Sequence, residues 1–258
     1  MTEWGTAWLG RRLHHLPTAS STQDAAAALA AEGAEHGTVV LADEQSGGRG
    51  RLGRSYFSPP GGLWCSIVLR PGWPVARLPL LILASGVAVA QAIHGTCALA
   101  PRLKWPNDVL LGDHKVSGAM AEASLEDGVA RTVILGIGIN ANISADAWPS
   151  ELRERAGSLL LATGWPVALP QLTRHLLQAL ERHCDSLTRG DSAAIVRAWR
   201  AWPNTLGQAV SVRLTDAEVV GMAEDIGDDG SLLLRLPNGD LSIVAAGDVS
   251  LRSLVEKP

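Results

Sequence analysis

Residues 48–54 read Gly-Arg-Gly-Arg-Leu-Gly-Arg, so three glycines and three arginines lie within seven positions. Glycine lets backbone N–H groups turn toward an anion in conformations that other residues resist, and the planar guanidinium group matches phosphate or carboxylate oxygens. The pairing predicts a loop that closes around a polyanion. The same composition also fits a solvated basic loop or one RNA-binding element, although a single such element in an acidic chain makes the RNA interpretation weak.

The loop also has the glycine spacing G-x-G-x-x-G, and residues 136–141 match a relaxed form of it. A dinucleotide site requires a strand before this turn and a helix directly after it. Pro59 and Pro60 follow the first copy and Pro149 lies near the second, so a bound pyrophosphate would lack a helix N-terminus in both. The sequence also lacks a G-x-x-x-x-G-K-[ST] motif. Neither common nucleotide-binding fold is therefore expected.

Several helical segments are expected to position these residues. Residues 21–33 begin with Ser-Thr-Gln-Asp and end at glycine, which predicts a capped helix. Residues 78–95 are apolar on all sides, and residues 170–187 place leucines on one stripe opposite charges, which predicts an amphipathic helix. Residues 192–202 form a fourth predicted helix.

Short β-rich segments alternate with these helices, which indicates a mixed α/β domain. They are residues 38–42, 63–70, 102–105, 109–111, 115–124 and 131–140. Residues 43–62 have no periodic pattern, and a loop of that length in a compact domain is usually functional or mobile. The arginine-glycine segment lies inside this loop.

The pattern changes after Pro203, where four short strand-like segments are separated by turn sequences. Asn238 and Gly239 predict a type I′ hairpin turn. About 50 residues of this kind predict a small β-barrel appended to the mixed domain. We expect one domain over residues 1–205 and a second over residues 206–258.

Composition limits the possible surroundings of the chain. It has 258 residues with 47% apolar and 19% charged side chains, and 26 acidic against 22 basic residues, which is typical of a globular protein rather than a disordered or collagenous one. A net charge of −4 gives no uniform basic field for DNA or an anionic membrane. Three widely spaced cysteines fit neither a disulfide framework nor a zinc site, so a cytoplasmic location is expected. The apolar run at residues 78–93 is shorter than the ~20 residues needed to cross a bilayer.

The loop at residues 48–54 resembles the G-R-G-R-x-G-R motif of biotin protein ligases, enzymes that activate biotin with ATP and attach it to a lysine of a carrier protein. Five more segments resemble motifs of that family in the same order. They are Ser-Thr-Gln at 21–23 (family Ser-Thr-Asn), Lys-Trp-Pro-Asn-Asp at 104–108, Lys-Val-Ser-Gly at 115–118, Gly-Ile-Gly-Ile-Asn at 136–140 and Gly-Asp-Val-Ser-Leu-Arg at 247–252. The resemblance covers about residues 18–253, and six motifs in register are specific.

The resemblance implies an α+β fold, with a mixed-sheet, class II synthetase-like catalytic domain and a small C-terminal SH3-like β-barrel. It implies ATP and Mg²⁺ as the partners of biotin in the reaction. A biotin carboxyl carrier protein domain of a biotin-dependent carboxylase is the expected acceptor. Only 20 residues precede Ser21, too few for a DNA-binding domain of ~50 residues, so operator binding is not expected. Monomer and homodimer both remain open.

The resemblance also implies roles for individual residues. Arg51 and Lys104 are expected to be catalytic, because positive charge must lie where the biotin carboxylate meets the α-phosphate. The residues expected to bind biotin are Ser21, Thr22, Gln23, Gln45, Gly48, Arg49, Gly50, Arg51 and Lys104. Those expected to bind ATP are Arg51, Arg54, Tyr56, Lys104 and Asn140, and no metal ligand is assigned.

Simpler interpretations compete with some of these roles. Ser21 and Thr22 also fit a helix cap, Tyr56 fits core packing, and Asn140 fits a turn. Lys104 fits an ordinary solvated charge at the end of a strand. For the whole chain, a lipoate or octanoate transferase is the competing enzyme, although it lacks the arginine-glycine loop, and a noncatalytic biotin- or nucleotide-binding module is the competing binding protein.

Overall fold

The computed structural model describes residues 3–203, 205–214, 217–245 and 247–251. Its helices are α1 (Thr22–Ala31), α2 (Leu78–Cys97), α3 (Leu159–Thr163), α4 (Leu169–Thr188) and α5 (Ser192–Arg200). Its strands are β1 (Leu13–Ala19), β2 (Thr38–Gln45), β3 (Leu63–Leu69), β4 (Trp73–Pro74), β5 (Arg102–Lys104), β6 (Asp108–Leu111), β7 (His114–Glu126), β8 (Val129–Ile139), β9 (Ala209–Arg213), β10 (Glu218–Ile226), β11 (Leu232–Arg235), β12 (Leu241–Val244) and β13 (Asp248–Leu251).

The strands form two sheets. The larger one has eight strands in the order β1-β2-β3-β8-β7-β6-β5, with β4 paired to β8. Its β1–β2 pair is parallel and its other pairs are antiparallel, so the sheet is mixed. The smaller sheet has five antiparallel strands in the order β12-β11-β10-β9-β13. The expected α+β fold with a small C-terminal β unit is confirmed, while the domain boundary at residue 205 stays a prediction.

Strand β1 has no counterpart among the predicted elements. It is an edge strand, and most of its residues are exposed, including His14 and His15. A strand that buries little has no need for alternating apolar residues, so its sequence carries no periodic pattern. Its place beside β2 is set by pairing with a neighbour rather than by its own composition.

Helix α2 is buried in the core of the larger domain. The segment Val75–Cys97 is the one described helix long and apolar enough to cross a membrane, but most of its apolar window is buried. It packs against α4 and α5 and contacts strands of the larger sheet. Its apolar composition on all sides is that of a core helix, as expected from the sequence.

The smaller sheet packs directly on the larger domain, next to the segment at residues 104–108. The indole Nε1 of Trp105 donates to the carbonyl of Gly230 at 3.0 Å, and its backbone N–H donates to Thr205 Oγ1 at 3.1 Å. Buried residues of both units belong to one continuous apolar cluster. Residues that precede β6 are therefore fixed partly by the C-terminal sheet.

His183 is a partly buried titratable group that joins two core helices. Its Nε2 atom in α4 lies 3.2 Å from Gln91 Oε1 in α2. Burial, helped by the positive charge of Arg182, lowers the pKa of His183 from 6.5 to about 4. The unfolded chain therefore binds a proton at pH values where the folded chain does not.

This difference predicts that the contribution of His183 to the free energy of unfolding is fully retained above pH 6.5 and decreases as the pH falls toward 4. We expect a loss of about 2 kcal/mol between pH 7 and pH 4.5 from His183 alone. Urea unfolding at both pH values measures it, with His183→Gln as the matched variant that cannot titrate. If the variant loses as much stability as the wild type, His183 is not the group responsible.

Candidate functional site

The first residues of α1 form one wall of a cavity on the larger sheet. Ser21 caps the helix, and its side chain accepts a hydrogen bond from the backbone N–H of Gln23. Ser21, Thr22 and Gln23 are nearly fully buried, and all three line the cavity. The capping role is confirmed for Ser21, whereas the Thr22 side chain bonds other residues, and both face the site.

Neutral polar groups join this wall to β2 and β3. The backbone N–H and the hydroxyl of Thr22 both donate to Gln45 Oε1, at 2.8 and 3.0 Å, and Thr22 Oγ1 lies 2.8 Å from Ser66 Oγ. Gln45 Nε2 donates to Ser58 Oγ at 2.8 Å. These hydrogen bonds fix a cluster of hydroxyl and amide groups without a formal charge. This end of the cavity suits a neutral polar ligand group.

Cations line another part of the cavity. Arg49 pairs with Asp24 at 2.6 Å, and the Arg51 guanidinium donates to Asn107 Oδ1 at 2.9 Å. Arg51 also donates to the backbone carbonyl of Gly247, which precedes β13, at 3.3 and 3.4 Å. The loop that carries both arginines is closed by hydrogen bonds between backbone groups, including Gly50 N–H to the Arg54 carbonyl at 2.7 Å. This part of the cavity suits an anion.

Two lysines flank Asp108. Lys115 Nζ lies 2.5 Å from Asp108 Oδ1, and Lys104 Nζ lies 3.4 Å from Asp108 Oδ2. Lys115 lines the cavity, whereas Lys104 is not among the lining residues. Lys115 had no predicted role, although it opens the Lys-Val-Ser-Gly motif. Lys104 faces the other side of the carboxylate.

Tyr56 lies across two glycines that face each other on β7 and β8. Gly118 pairs with Gly138, and a Cβ atom added at Gly138 would lie 2.9 Å from the Tyr56 ring. The Tyr56 hydroxyl donates to the Gly138 carbonyl at 3.3 Å, and Lys115 Nζ lies 5.7 Å from the ring centroid. Burial, followed by the charge of Asp108, raises the pKa of Tyr56, so the phenol stays protonated. The ring lines the cavity and is packed on one side, and its contact with adenine stays a prediction.

Asn140 braces the strand that carries Lys115. Its side-chain amide donates to the carbonyls of Lys115 and Gly157, at 3.2 and 2.9 Å, and it is nearly fully buried. It is not among the residues that line the cavity. The observed contacts are structural, and a contact with a nucleotide stays a prediction.

The structure gathers most of the predicted site residues around one cavity. Those that line it are Ser21, Thr22, Gln23, Gln45, Arg49, Gly50, Arg51 and Tyr56, and those that do not are Gly48, Arg54, Lys104 and Asn140. Ser66, Asn107 and Lys115 line it without having been predicted. Asn107 and Lys115 lie within recognised motifs, whereas Ser66 reaches the site only because β3 pairs with β8.

A second, larger cavity lies beside α3. Its volume is about 590 Å³, against about 60 Å³ for the first. It is lined mainly by apolar side chains such as Leu111, Trp148 and Leu161, and its ionisable lining residues are His114 and Arg153. Size favours the second cavity, but the combination of three cations with neutral polar groups occurs in the first. We therefore take the first cavity as the candidate site.

The described residues contain no cluster of three or more histidine, cysteine, aspartate or glutamate side chains that would hold a metal ion. The carboxylates that contact cavity cations are Asp24, Asp108 and Glu122, and each is already paired with at least one of them. The described residues therefore form no all-protein cage for Mg²⁺. Such an ion fits here only with phosphate oxygens among its ligands.

Two family models match the chain. The Biotin/lipoate A/B protein ligase family matches residues 16–140, and the Biotin protein ligase C terminal domain matches residues 205–252. The second match coincides with the smaller sheet, which begins at Ala209.

Named relatives match over most of the chain. The bifunctional ligase/repressor BirA of Bacillus spizizenii is 37% identical over 248 residues, which cover 95% of this chain and 76% of that protein. The biotin–[acetyl-CoA-carboxylase] ligase of Paracoccus denitrificans is 35% identical over 230 residues, which cover 88% of this chain and 96% of that protein. The biotin protein ligase of Aquifex aeolicus in complex with biotin and ATP matches with a TM-score of 0.78 at 29% identity, over 94% of this chain and 99% of that chain.

The hydrogen bonds of Thr22 predict a stability effect. Thr22→Val leaves Gln45 and Ser66 without a buried hydroxyl partner, so we expect a loss of about 1–3 kcal/mol in the free energy of unfolding. Chemical unfolding measures it. Thr18→Val, which removes an exposed hydrogen bond to Glu44, is the matched control and should cost far less. Equal losses in the two variants would contradict a tightly connected polar cluster.

Proposed function

The chain belongs to the biotin/lipoate A/B protein ligase family, and from this premise we propose how its cavity performs the reaction. The enzyme is a biotin protein ligase. It activates biotin with ATP to biotinyl-5′-AMP and transfers the biotinyl group to a carrier protein. The observation that carries the proposed residue roles is the division of one cavity into a neutral polar end and a cationic end.

This division matches the two ends of biotin. The ureido ring is neutral and has both hydrogen-bond donors and acceptors, so it goes to the hydroxyl and amide groups around Thr22 and Gln45. The valerate carboxylate goes to Arg51 and Lys115, where positive charge replaces its lost hydration. The opposite orientation would bury the carboxylate among neutral groups, which is costly.

Activation joins two anions. A biotin carboxylate oxygen forms a bond to the α-phosphorus of ATP while the bond from that phosphorus to the pyrophosphate oxygen breaks. Arg51 and Lys115 place positive charge where negative charge concentrates in the transition state, and this electrostatic term lowers the barrier. Asn107 holds the Arg51 guanidinium in position, and Asp108 holds the Lys115 ammonium. Mg²⁺ enters with ATP as the MgATP substrate and neutralises phosphate charge.

Lys115 takes the catalytic place that the sequence analysis gave to Lys104. It lines the cavity beside Tyr56 and Gly118, while Lys104 bonds the other oxygen of Asp108. Lys104 then helps to hold Asp108 in position and does not touch the substrates. Both lysines contribute to the local positive charge.

The arginine-glycine loop acts as a lid. Residues 49–51 are part of the cavity lining, so their outward movement would widen the entrance for biotin. The loop is held by a few backbone hydrogen bonds and an ion pair from Arg49 to Asp24, which are weak enough to break and re-form. Once closed, the loop protects the acyl-adenylate from water.

Transfer needs no nucleophile from this chain. The amine of a carrier lysine attacks the acyl carbon of biotinyl-5′-AMP, an amide bond forms, and AMP leaves with the electrons of the broken acyl–oxygen bond. We assign the acceptor as a biotin carboxyl carrier domain of a carboxylase, which the name of the Paracoccus relative supports.

A cytoplasmic location is consistent with three free cysteines. The catalytic domain spans residues 1–205 and the smaller unit 206–258.

Biotin-dependent exchange of pyrophosphate into ATP tests this function. A biotin ligase exchanges with biotin and not with lipoate or octanoate, and a noncatalytic binding module does not exchange at all. We expect Arg51→Ala to lower the exchange rate by about 10²–10³, the usual effect of losing one aimed charge. Arg12→Ala, a change at an exposed residue directly before β1, is the control. No exchange by the wild type with biotin and MgATP would end the proposal.

The two lysines offer a second test because they share one carboxylate partner. We expect Lys115→Ala to lower single-turnover formation of biotinyl-5′-AMP by about 10²–10³. Lys104→Ala should lower it by less than about tenfold, since that lysine is a positioning group. The reverse order of the two effects would return the catalytic role to Lys104.

A further inference from the structure

We propose that Gln23 and Gly136 together set the depth of the neutral end of the cavity, and thereby the size of the ring that the enzyme accepts. The inference rests on the proposed orientation of biotin, with its ureido ring at this end. It concerns a position where the sequence departs from the family, which commonly has Asn. The Gln23 side chain therefore occupies space that the shorter Asn side chain would leave empty.

Gln23 is fixed as a wall by contacts within the protein. It is nearly fully buried and lines the cavity. Its Nε2 atom donates to the carbonyl of Ile134 in β8 at 2.9 Å, and its Oε1 atom accepts from Ser66 Oγ at 3.2 Å. Each end of the carboxamide is therefore bound to a different strand. The side chain spans the gap between α1 and the sheet and cannot swing away from an incoming ring without losing both hydrogen bonds.

Gly136 provides the room that Gln23 fills. A Cβ atom added at Gly136 would lie 2.6 Å from Gln23 Oε1, a distance that non-bonded atoms do not tolerate. Gly136 also lines the cavity. A side chain at residue 136 would therefore displace the Gln23 carboxamide. Gln23 has a long side chain and Gly136 has none, so the two residues are matched in size.

A cavity wall of this kind selects ligands by their volume. Protein interiors are close-packed, so one additional methyl group on a buried ring has no place to go unless the wall moves. Hydrophobic or steric fit of one such group is worth about 10–200-fold in kcat/KM. A ring substituent is therefore expected to be rejected because of Gln23, and truncation of Gln23 is expected to admit it.

The test compares biotin with biotin carrying a methyl group on either ureido nitrogen. The measurement is kcat/KM in pyrophosphate exchange, expressed for each variant as the ratio of biotin to methylated biotin, so that a general loss of activity cancels. We expect Gln23→Ala to lower this ratio at least about tenfold for one isomer. Gln23→Met, which keeps the length but loses both hydrogen bonds, should keep more of the ratio than Gln23→Ala does.

A compensating pair provides a second, independent test. Gly136→Ala alone should raise KM for biotin, because the new methyl group displaces the carboxamide. Adding Gln23→Asn shortens that side chain by one methylene and should recover at least about tenfold of the lost kcat/KM. Circular dichroism and thermal unfolding of each variant establish that it is folded.

The outcomes separate this inference from the proposed function. A wild type without biotin-dependent exchange overturns the function. Suppose that the wild type is active. If the ratio of biotin to methylated biotin is then unchanged in Gln23→Ala, or changes equally in Gln23→Ala and Gln23→Met, the depth role is overturned and the function stays intact. Failure of Gln23→Asn to rescue Gly136→Ala also overturns it.

Discussion

Three cations placed around one small cavity repel one another, and the structure depends on the groups that hold them there. Arg49 is paired with Asp24, Arg51 with Asn107, and Lys115 with Asp108. These partners keep the positive charges close together without a ligand, and a bound anion can share or replace them. With the loop closed, the cations are already held in place, so little reorganisation is needed during the chemical step.

The space beside those cations is made by residues that lack side chains. Gly118 and Gly138 face each other across β7 and β8 and leave room for Tyr56, while Gly136 leaves room for Gln23. A flat strip of backbone in the middle of a sheet allows an aromatic ring and a carboxamide to approach closely. Gln23 of the neutral wall and the Tyr56 ring beside Lys115 therefore both pack on glycines of one strand, β8.

The C-terminal sheet takes part in this arrangement. The carbonyl of Gly247 accepts from Arg51, and the carbonyl of Gly230 accepts from the indole of Trp105, close to Asn107. The two units share one apolar core, so the position of the arginine is coupled to their packing. A sequence pattern separates the units, but their contact is part of the site.

The sequence by itself determined the fold class, the helix cap at Ser21 and the family, because local patterns and six ordered motifs need no knowledge of distant contacts. It could not rank Lys104 against Lys115, since both lie in recognised motifs and only the pairing of β5, β6 and β7 decides which ammonium enters the cavity. It also gave no indication of Ser66, which belongs to no motif and reaches Thr22 and Gln23 through strand pairing. Motifs identify chemistry that is local in the chain, whereas the direction of a side chain relative to residues far away in sequence is set by register and packing.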